Sequence, residues 1–489
     1  MGILRPAVAG IVGIVALSGC AVGPKYHTPS APVPPAYKEA AAATDPVSSQ
    51  EWKVATPQDA MRRGTWWEMF DDPELNALEA QVNGSNQNIA QAYENYMAAR
   101  ALIDQARAQR LPTVTTDPTF QRSRSSATLG LGTSSAASGG IGTGRPVNEF
   151  ALPIAASWEP DLWGRIRNTI DQNRYAAQVS AADLENVRLL QHSTLAQTYF
   201  ALRGQDALLT VLEETVAADG KAVDFARAQY ETGIGTRLSL VQAENALATA
   251  EAVAAGAALA RAQDEHAIAV LVGKPPAEFS LPRRPLDTLP PEVPPSVPSE
   301  LLERRPDIAA AERLMAEANA QLGLAYAAYY PTVTLSASAG FESSSVVQWF
   351  SWPSRLWALG ASAAQTIFDG GLRRATVQQF TAAYDADVAS YRQTVLTAFQ
   401  QVEDSLAAER ILAEQTDKQQ QAVTSAQEFF RLANDRYQTG IDPYLNVLTA
   451  QTTLLSGQQA LASLQTNRMT SIVQLIAALG GGWDRSQLP

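Results

Sequence analysis

The apolar residues between positions 372 and 438 recur with the period of an α-helix. They fall at Val377, Phe380, Tyr384, Val388, Tyr391, Val395, Phe399, Val402 and Leu406. Their mean spacing of about 3.6 residues keeps them on one face of a nearly straight helix. Residues 372–438 contain neither Gly nor Pro, and residues 165–231 contain no Pro. We therefore predict two very long helices, each roughly 100 Å if continuous at 1.5 Å per residue.

Both long helices end at the same short motif. Tyr-x-Thr-Gly-Ile stands at 230–234 and again at 437–441. Gly after the last turn is typical of a helix C-terminus, because it adopts the left-handed conformation without strain. A second helical stretch follows each motif, at 236–272 and 443–479. The sequence thus predicts two antiparallel helical hairpins. Their tips lie near 230–237 and 437–445.

Alternation with period two predicts strands between the helices. In 332–341, one face is formed by Val333, Leu335, Ala337, Ala339 and Phe341, and the other face is mostly Thr and Ser. Two strands are predicted in each half, near 112–123 and 148–160, and near 331–343 and 354–368. Aromatic flanks suit a membrane barrel. A soluble sandwich has the same period, so the alternation leaves both open.

The chain consists of two halves with one plan. Residues 88–114 align without a gap on 307–333, each being a predicted helix of about 25–30 residues that ends at Pro112 or Pro331. A Gly/Ser-rich loop at 125–144 is an insertion in the first half. The predicted organisation is a signal peptide at 1–19, a lipidated tether and collar at 20–60, a first repeat at 61–274, a Pro-rich linker at 275–300, a second repeat at 301–480 and a tail at 481–489.

The N-terminus resembles a bacterial lipoprotein signal. A positive Arg5 precedes an apolar run, and small residues precede Cys20, the only Cys of the chain. We expect Cys20 to carry the lipid; a plain signal peptide with an incidental Cys is the alternative. The absence of Asp just after Cys20 favours outer-membrane delivery, by resemblance to other lipoproteins. Residues 23–50, rich in Pro and Ala, predict an extended tether.

Composition narrows the possible functions. The chain has 489 residues, 46% of them hydrophobic, and a formal charge of −12 without a basic patch, which disfavours a nucleic-acid partner. One Cys and three His make a metal cluster improbable. Phosphate-loop, nucleophile-elbow and His-Glu-x-x-His motifs are absent, so we expect neither an enzyme nor a cofactor. We interpret Asp71, Asp72 and Glu74 as a solvated turn and helix start, and His192 and His266 as surface or core residues.

Four strands from one chain do not close a barrel, because the smallest transmembrane barrels have about eight. Lipid offers no hydrogen bonds to open strand edges. Three copies give twelve strands and a ring of helical hairpins. We therefore predict a mainly α fold with a membrane β-barrel: a homotrimer in which a 12-stranded barrel, four strands per chain, continues into a long α-helical tunnel.

Seven short motifs of the sequence, in this order, resemble those of the TolC-like outer-membrane efflux protein family. They are AVGPKY (21–26), TWWEMFDDPELNAL (65–78), PDLWGRIR (160–167), LLERRPDIAAAE (301–312), PTVTLSASAGF (331–341), FDGGLRRA (368–375) and LGGGW (479–483). Within the family the chain is most similar to the lipidated outer-membrane factors of resistance–nodulation–division pumps, the NodT-type lipoproteins. The resemblance implies a periplasmic tunnel and an equatorial collar that includes 275–300. It also implies passive export, which can confer antibiotic resistance. The implied partners are an inner-membrane transporter and a periplasmic adaptor.

The family also implies that the hairpin tips meet the adaptor and constrict the tunnel at rest. At the second tip we expect Asp442 to cap the next helix and Pro443 to lie in its first turn. Where the family often has acidic rings, this sequence has Leu445, Asn446 and Thr449. These positions predict an apolar plug at Leu445. We expect polar ties between hairpins from Asp442, Arg237, Tyr230 and Tyr437, beside the turn glycines Gly233 and Gly440. The alternative is that these residues have no role in a gate and only cap helices.

Two other classes of protein remain as alternatives. A general diffusion porin would need no helices of 100 Å and no adaptor. A periplasmic coiled-coil scaffold would need no alternating strands. Conductance and dependence on detergent distinguish the three classes.

Overall fold

A computed structural model describes residues 22–39, 64–124, 146–286, 290–291 and 304–482. The predicted signal peptide, Cys20 and the Gly/Ser-rich loop at 125–144 lie outside the described residues. Seven α-helices and five strands are described. They are α1 (Pro73–Ser85), α2 (Gln87–Ala108), β1 (Thr113–Thr116), β2 (Thr119–Ser123), β3 (Val147–Trp158), α3 (Arg165–Glu231), α4 (Arg237–Leu271), α5 (Pro306–Ala327), β4 (Thr332–Ser343), β5 (Arg355–Ala364), α6 (Leu372–Gln438) and α7 (Tyr444–Ala478).

The two halves have helices of identical length. The helices α3 and α6 have 67 residues each, α4 and α7 have 35 each, and α2 and α5 have 22 each. The predicted long helices are therefore confirmed. The predicted length of α2 and α5 was wrong: both end four residues before the proline, which has no N–H to donate and whose ring clashes with the carbonyl four residues earlier. No helix in the described part of the chain is long and apolar enough to span a membrane.

The strands form one antiparallel sheet in the order β1 and β2, then β3, β4 and β5. The first predicted strand is divided into β1 and β2, which both pair with β3 in one continuous register: Thr116 lies opposite Ile154, and Thr119 opposite Ala151. The division falls at Pro118, which has no N–H to donate to the ladder. Within the described residues, β1 with β2, and β5, each pair on one side only.

The register gives the sheet one apolar face and one polar face. Opposite partners such as Ile154 and Ala339, or Leu152 and Phe341, share the apolar face. On β5 this face continues with Trp357, Leu359 and Ala361. The other face is formed by small and polar residues, among them Thr334, Ser336, Ser338, Ser157, Gly360 and Ser362.

The described residues divide into two compact units. The first comprises 98–177, 313–388 and the N-terminal residues up to Thr28, and it contains the whole sheet. The second comprises 29–97, 178–312 and the residues from Ala389 onward. Its largest core joins the segment before α1 to α3, α4 and α7. This core includes Trp66, Trp67, Phe70, Leu75, Leu78, Leu195, Tyr199, Phe200, Ile268, Val272, Met469 and Ile472.

Residues 22–39, predicted as a tether, form neither helix nor strand but are packed against helices. In the first unit, Gly23 has a φ of +131°, and a Cβ at this position would lie 2.9 Å from the Gly323 Cα atom. In the second unit, the Glu403 carboxylate accepts hydrogen bonds from the backbone N–H groups of Lys38 (2.7 Å) and Glu39 (2.9 Å), and Tyr37 is buried. The tether is therefore not loose over these residues.

The solvated turn expected at 71–74 is wrong for Asp72, which is buried. Its carboxylate caps α1 by accepting from the N–H groups of Glu74 (3.0 Å) and Leu75 (3.3 Å). It also accepts the Tyr199 hydroxyl at 2.7 Å and pairs with Arg284. A carboxylate with four donors is stable without water.

Further buried charges hold the Pro-rich segment near 281–284 against the helices. Arg203 of α3 donates to Asp206 at 2.8 Å and to the Pro282 carbonyl at 2.8 Å. Arg261 of α4 donates to Asp206 at 2.6 Å and to the Leu281 carbonyl at 2.8 Å. The sequence did not predict this network, because its members are far apart in the chain.

His192 is a core residue, as one of the two interpretations allowed, and His266 is exposed. The His192 ring is stacked on Trp67, with centroids 4.5 Å apart. Its Nδ1 atom lies 2.6 Å from Glu79 Oε2, and its Nε2 atom 3.1 Å from Asn83 Oδ1. Burial lowers the pKa of His192 to about 4 and raises the pKa of Glu79 well above its usual value. Burial thus disfavours the charged form of both groups.

Candidate functional site at the hairpin tips

The two tips have the same turn geometry. Gly233 and Gly440 have φ values of +76° and +74°, as predicted for the residue after the last turn of a helix. The N–H of Ile234 donates to the Gln229 carbonyl at 2.9 Å, and that of Ile441 donates to the Arg436 carbonyl at 2.8 Å. This bond, from the residue after the left-handed Gly back to the last turn of the helix, is the Schellman motif. The repeated Thr-Gly-Ile therefore specifies one turn, used twice.

The helices that follow the tips start differently. The Thr236 hydroxyl oxygen caps α4 by accepting from the Ser239 N–H at 3.2 Å. At the second tip the prediction was wrong, because Pro443 is the capping residue of α7 and makes no side-chain cap bond. Asp442 does not cap either. Its carboxylate accepts from Arg436 Nε (2.6 Å) and Nη2 (3.2 Å), which closes the tip with an ion pair.

The Arg436 guanidinium holds the pKa of Asp442 below its ordinary value. Arginine stays charged at any physiological pH, so this ion pair persists at neutral pH. The pair lies within the second hairpin. Arg237 of the first tip is exposed. Among the described residues it forms no ion pair, and neither Asp442 nor Arg237 makes the predicted polar tie to another hairpin.

Tyr437 joins the two hairpins. Its hydroxyl group donates to Gln229 Oε1 at 3.0 Å. Its ring lies against Phe225 of the first hairpin (6.1 Å) and Tyr444 of its own (5.3 Å). Tyr230, the matching residue of the first tip, is 44% exposed, and its hydroxyl group makes no hydrogen bond within the described residues. The two copies of the motif therefore have different roles in contacts between hairpins.

A small core lies behind the tips. It joins the hairpins through Val223, Ala226, Ala243, Tyr444 and Val447. Further along, Gln451 of α7 donates to the buried Asp219 of α3. Burial raises the pKa of Tyr444 to about 12 and also raises that of Asp219. Sequence reasoning missed this polar contact, since Asp219 lies in a helical pattern without a motif.

The predicted plug residues share an exposed face of α7. Leu445 is 53% exposed, and Asn446 and Thr449 are exposed on the same side of the first two turns. Tyr444, Val447 and Ala450 are buried on the opposite side. The exposed face is therefore free to meet another chain or a channel lumen. In the described part of the chain, no group of His, Cys, Asp or Glu is placed to hold a metal ion.

Comparison with known proteins decides the family. The family model described as outer membrane efflux protein matches residues 78–274 and 297–481. The chain belongs to the outer membrane efflux protein family. It is 32% identical to the probable efflux pump outer membrane protein TtgC of Pseudomonas putida, over 96% of this chain and 93% of TtgC. It is 30% identical to the outer membrane protein OprJ of Pseudomonas aeruginosa, over 99% and 98% of the two chains.

The fold is also that of solved channels of this family. The structure of the open state of the MtrE outer membrane channel from Neisseria gonorrhoeae is 26% identical, with a TM-score of 0.78, and covers 95% of this chain and 98% of MtrE. The resemblance that the sequence indicated is therefore confirmed. This member of the efflux family is an outer-membrane protein of efflux systems.

Proposed function

We propose that the chain is the outer-membrane channel of a tripartite pump, which passively exports drugs or other small molecules. An inner-membrane transporter would deliver these molecules through a periplasmic adaptor. The names of relatives such as TtgC, an efflux pump protein, support this role. The main support for a channel is the sheet, which has an apolar face, a polar face and two edges that are unpaired within the described residues.

The open edges support a homotrimer. In lipid, each unpaired strand edge costs several kcal/mol for every unsatisfied backbone group. Pairing β5 of one copy with β1 and β2 of the next satisfies these groups, and three copies close a 12-stranded barrel. The apolar face then meets lipid and the polar face lines a water-filled lumen.

The tips support contact with the adaptor and a gate. Apolar side chains stand exposed there, with Ile234 81% and Ile441 64% exposed. Leu238 and Leu445 add further exposed apolar side chains at the two tips, and a group of such side chains, rather than a single one, is typical of a surface that meets a partner. Six tips per trimer would form a ring in which Leu445 narrows the lumen and the Tyr437–Gln229 bond keeps each pair of hairpins together.

We propose that the lipid attached to Cys20 anchors each copy in the outer membrane. The packed segment 22–39 would then join the anchor to the helices. Transport needs neither catalysis nor a cofactor in this scheme, because the transporter supplies the energy.

Reconstitution tests the function. Purified protein should have the mass of three chains in detergent and conduct ions in planar bilayers. It should restore drug export to a strain that lacks its own outer-membrane channel, provided that an adaptor and a transporter are present. Export without an adaptor would favour a diffusion porin, and a detergent-independent protein without conductance would favour a scaffold.

A further inference from the structure

The apolar face of the sheet ends in a cluster of five aromatic rings. Neighbouring centroids are 4.7 Å apart for Phe120 and Phe150, 5.6 Å for Phe150 and Trp349, 4.9 Å for Trp349 and Phe350, and 5.8 Å for Phe350 and Phe341. The Trp349 indole N–H donates to the Phe341 carbonyl at 3.2 Å, which fixes the loop after β4 over this end. This is the end of the strands away from the helices that precede and follow them in the chain.

Two arginines flank the aromatic cluster on the same face. Arg122 of β2 lies opposite Asn148, one step beyond Phe120 along that face. Arg355, the first residue of β5, lies opposite Phe341. Both side chains are exposed, and neither forms an ion pair with any described residue. Arg122 is level with Asn148 of β3, whereas Arg355, through Phe341, is level with Leu152. The two arginines therefore lie three strand spacings apart across the sheet and four residues apart along it, about 20 Å in all.

Arg355 is held in a defined position. Its guanidinium group lies 4.0 Å from the centroid of the Trp352 ring, and it donates to the Trp352 carbonyl at 3.2 Å. A cation over an indole face is stabilised by the ring electrons, and the remaining N–H groups stay free to donate. The nearby carboxylates Glu149 and Glu342 lie on the polar face, so they do not neutralise the arginines.

We propose that this surface, formed by Arg122, Arg355 and the aromatic cluster between them, binds the phosphorylated headgroup of an outer-leaflet glycolipid of the lipid A type. The inference rests on the proposed barrel, which turns the apolar face toward lipid. Aromatic belts mark the boundary between acyl chains and headgroups. The planar guanidinium group matches phosphate in two parallel hydrogen bonds. The two arginines on either side of the aromatic cluster suit a sugar headgroup that carries two phosphates.

Native mass spectrometry of the detergent-solubilised protein tests the proposal. The probes are purified lipid A with both phosphates and the same lipid after enzymatic removal of its phosphates. Wild-type protein should bind the phosphorylated lipid at least about tenfold more tightly, which corresponds to the loss of one charged hydrogen bond. The variant with Arg122→Gln and Arg355→Gln should lose this preference.

The matched control is Arg374→Gln, which removes an exposed arginine from α6 and should leave the preference unchanged. Equal binding of the two lipids by wild-type protein would overturn the proposal, even if the double variant failed to fold. Conductance in planar bilayers separates the two claims. No lipid preference in a conducting protein contradicts only this inference, whereas a preference without conductance contradicts only the channel function.

Discussion

Removing the Tyr437 hydroxyl group should make the proposed gate open more often. Tyr437→Phe deletes the 3.0 Å hydrogen bond to Gln229, the tie between the two hairpins. The ring stays in place against Phe225 and Tyr444, so the packing is retained. One such bond contributes about 0.5–1.5 kcal/mol net. If three copies open together, the closed state loses about 1.5–4.5 kcal/mol, which is roughly 10- to 2000-fold in the opening equilibrium.

Single-channel recording in planar bilayers measures this change as the fraction of time spent in the open state. Tyr230→Phe is the matched control, because Tyr230 occupies the same motif position but its hydroxyl group makes no hydrogen bond within the described residues. Adding Leu445→Ala to Tyr437→Phe should raise resting conductance further and admit large antibiotics, with trimers intact. If Tyr437→Phe and Tyr230→Phe both behave like wild type, the tie at the second tip does not hold the gate.

Three further predictions concern the anchor and the core. Cys20→Ser should abolish acyl labelling, while the strands still insert; labelling that persists would refute the lipid site. Asp72→Ala should lower the free energy of unfolding by about 2–4 kcal/mol, since α1 loses its cap and the Tyr199 hydroxyl its main acceptor. Asp72→Asn should lower the free energy of unfolding by less than Asp72→Ala, as measured by thermal denaturation of both variants. Equal losses in the two variants would contradict the capping role. Glu79→Gln leaves His192 as the group of this pair that titrates. Because the folded pKa of His192, about 4, lies below its ordinary 6.5, unfolding takes up a proton between these values. Stability of the variant should therefore rise with pH across this window, by up to about 3 kcal/mol. Wild type should change less, since Glu79 opposes the effect, and a flat profile in the variant would contradict the assignment.

The long helices were predictable because their signal is local. Gly and Pro are nearly absent from 165–231 and 372–438, and the apolar period of α6 stays close to that of an α-helix over nine positions. The positive φ of Gly233 and Gly440 was also predictable from the sequence, because a left-handed position after a helix strongly favours Gly. Such features depend on neighbours within a few positions.

The predictions that were wrong concern residues whose partners lie on other elements of the structure. Asp72 looked solvated, but Tyr199 and Arg284, more than 100 positions away, supply the donors that allow its burial. Asp442 looked like a cap, but Arg436 on the preceding helix competes for its carboxylate. A pattern read along the chain shows which groups a residue offers. It does not show which partner reaches that residue in three dimensions.

The same limit applies to the candidate gate. The sequence placed Leu445, Asn446 and Thr449 at the second tip, and the helix period put them on one exposed face. The contact of Tyr437 with Gln229 needed the packing of two hairpins, which lie far apart in sequence. Whether these residues line a lumen stays a prediction, because that requires neighbouring copies.

We propose that this chain forms a channel only as a closed assembly of three copies. The most direct measurement combines the mass of the detergent-extracted particle with conductance of that same fraction in planar bilayers. Conductance should belong to particles of three chains and should disappear when they are dissociated into single chains. A stable single chain that conducts ions would contradict it.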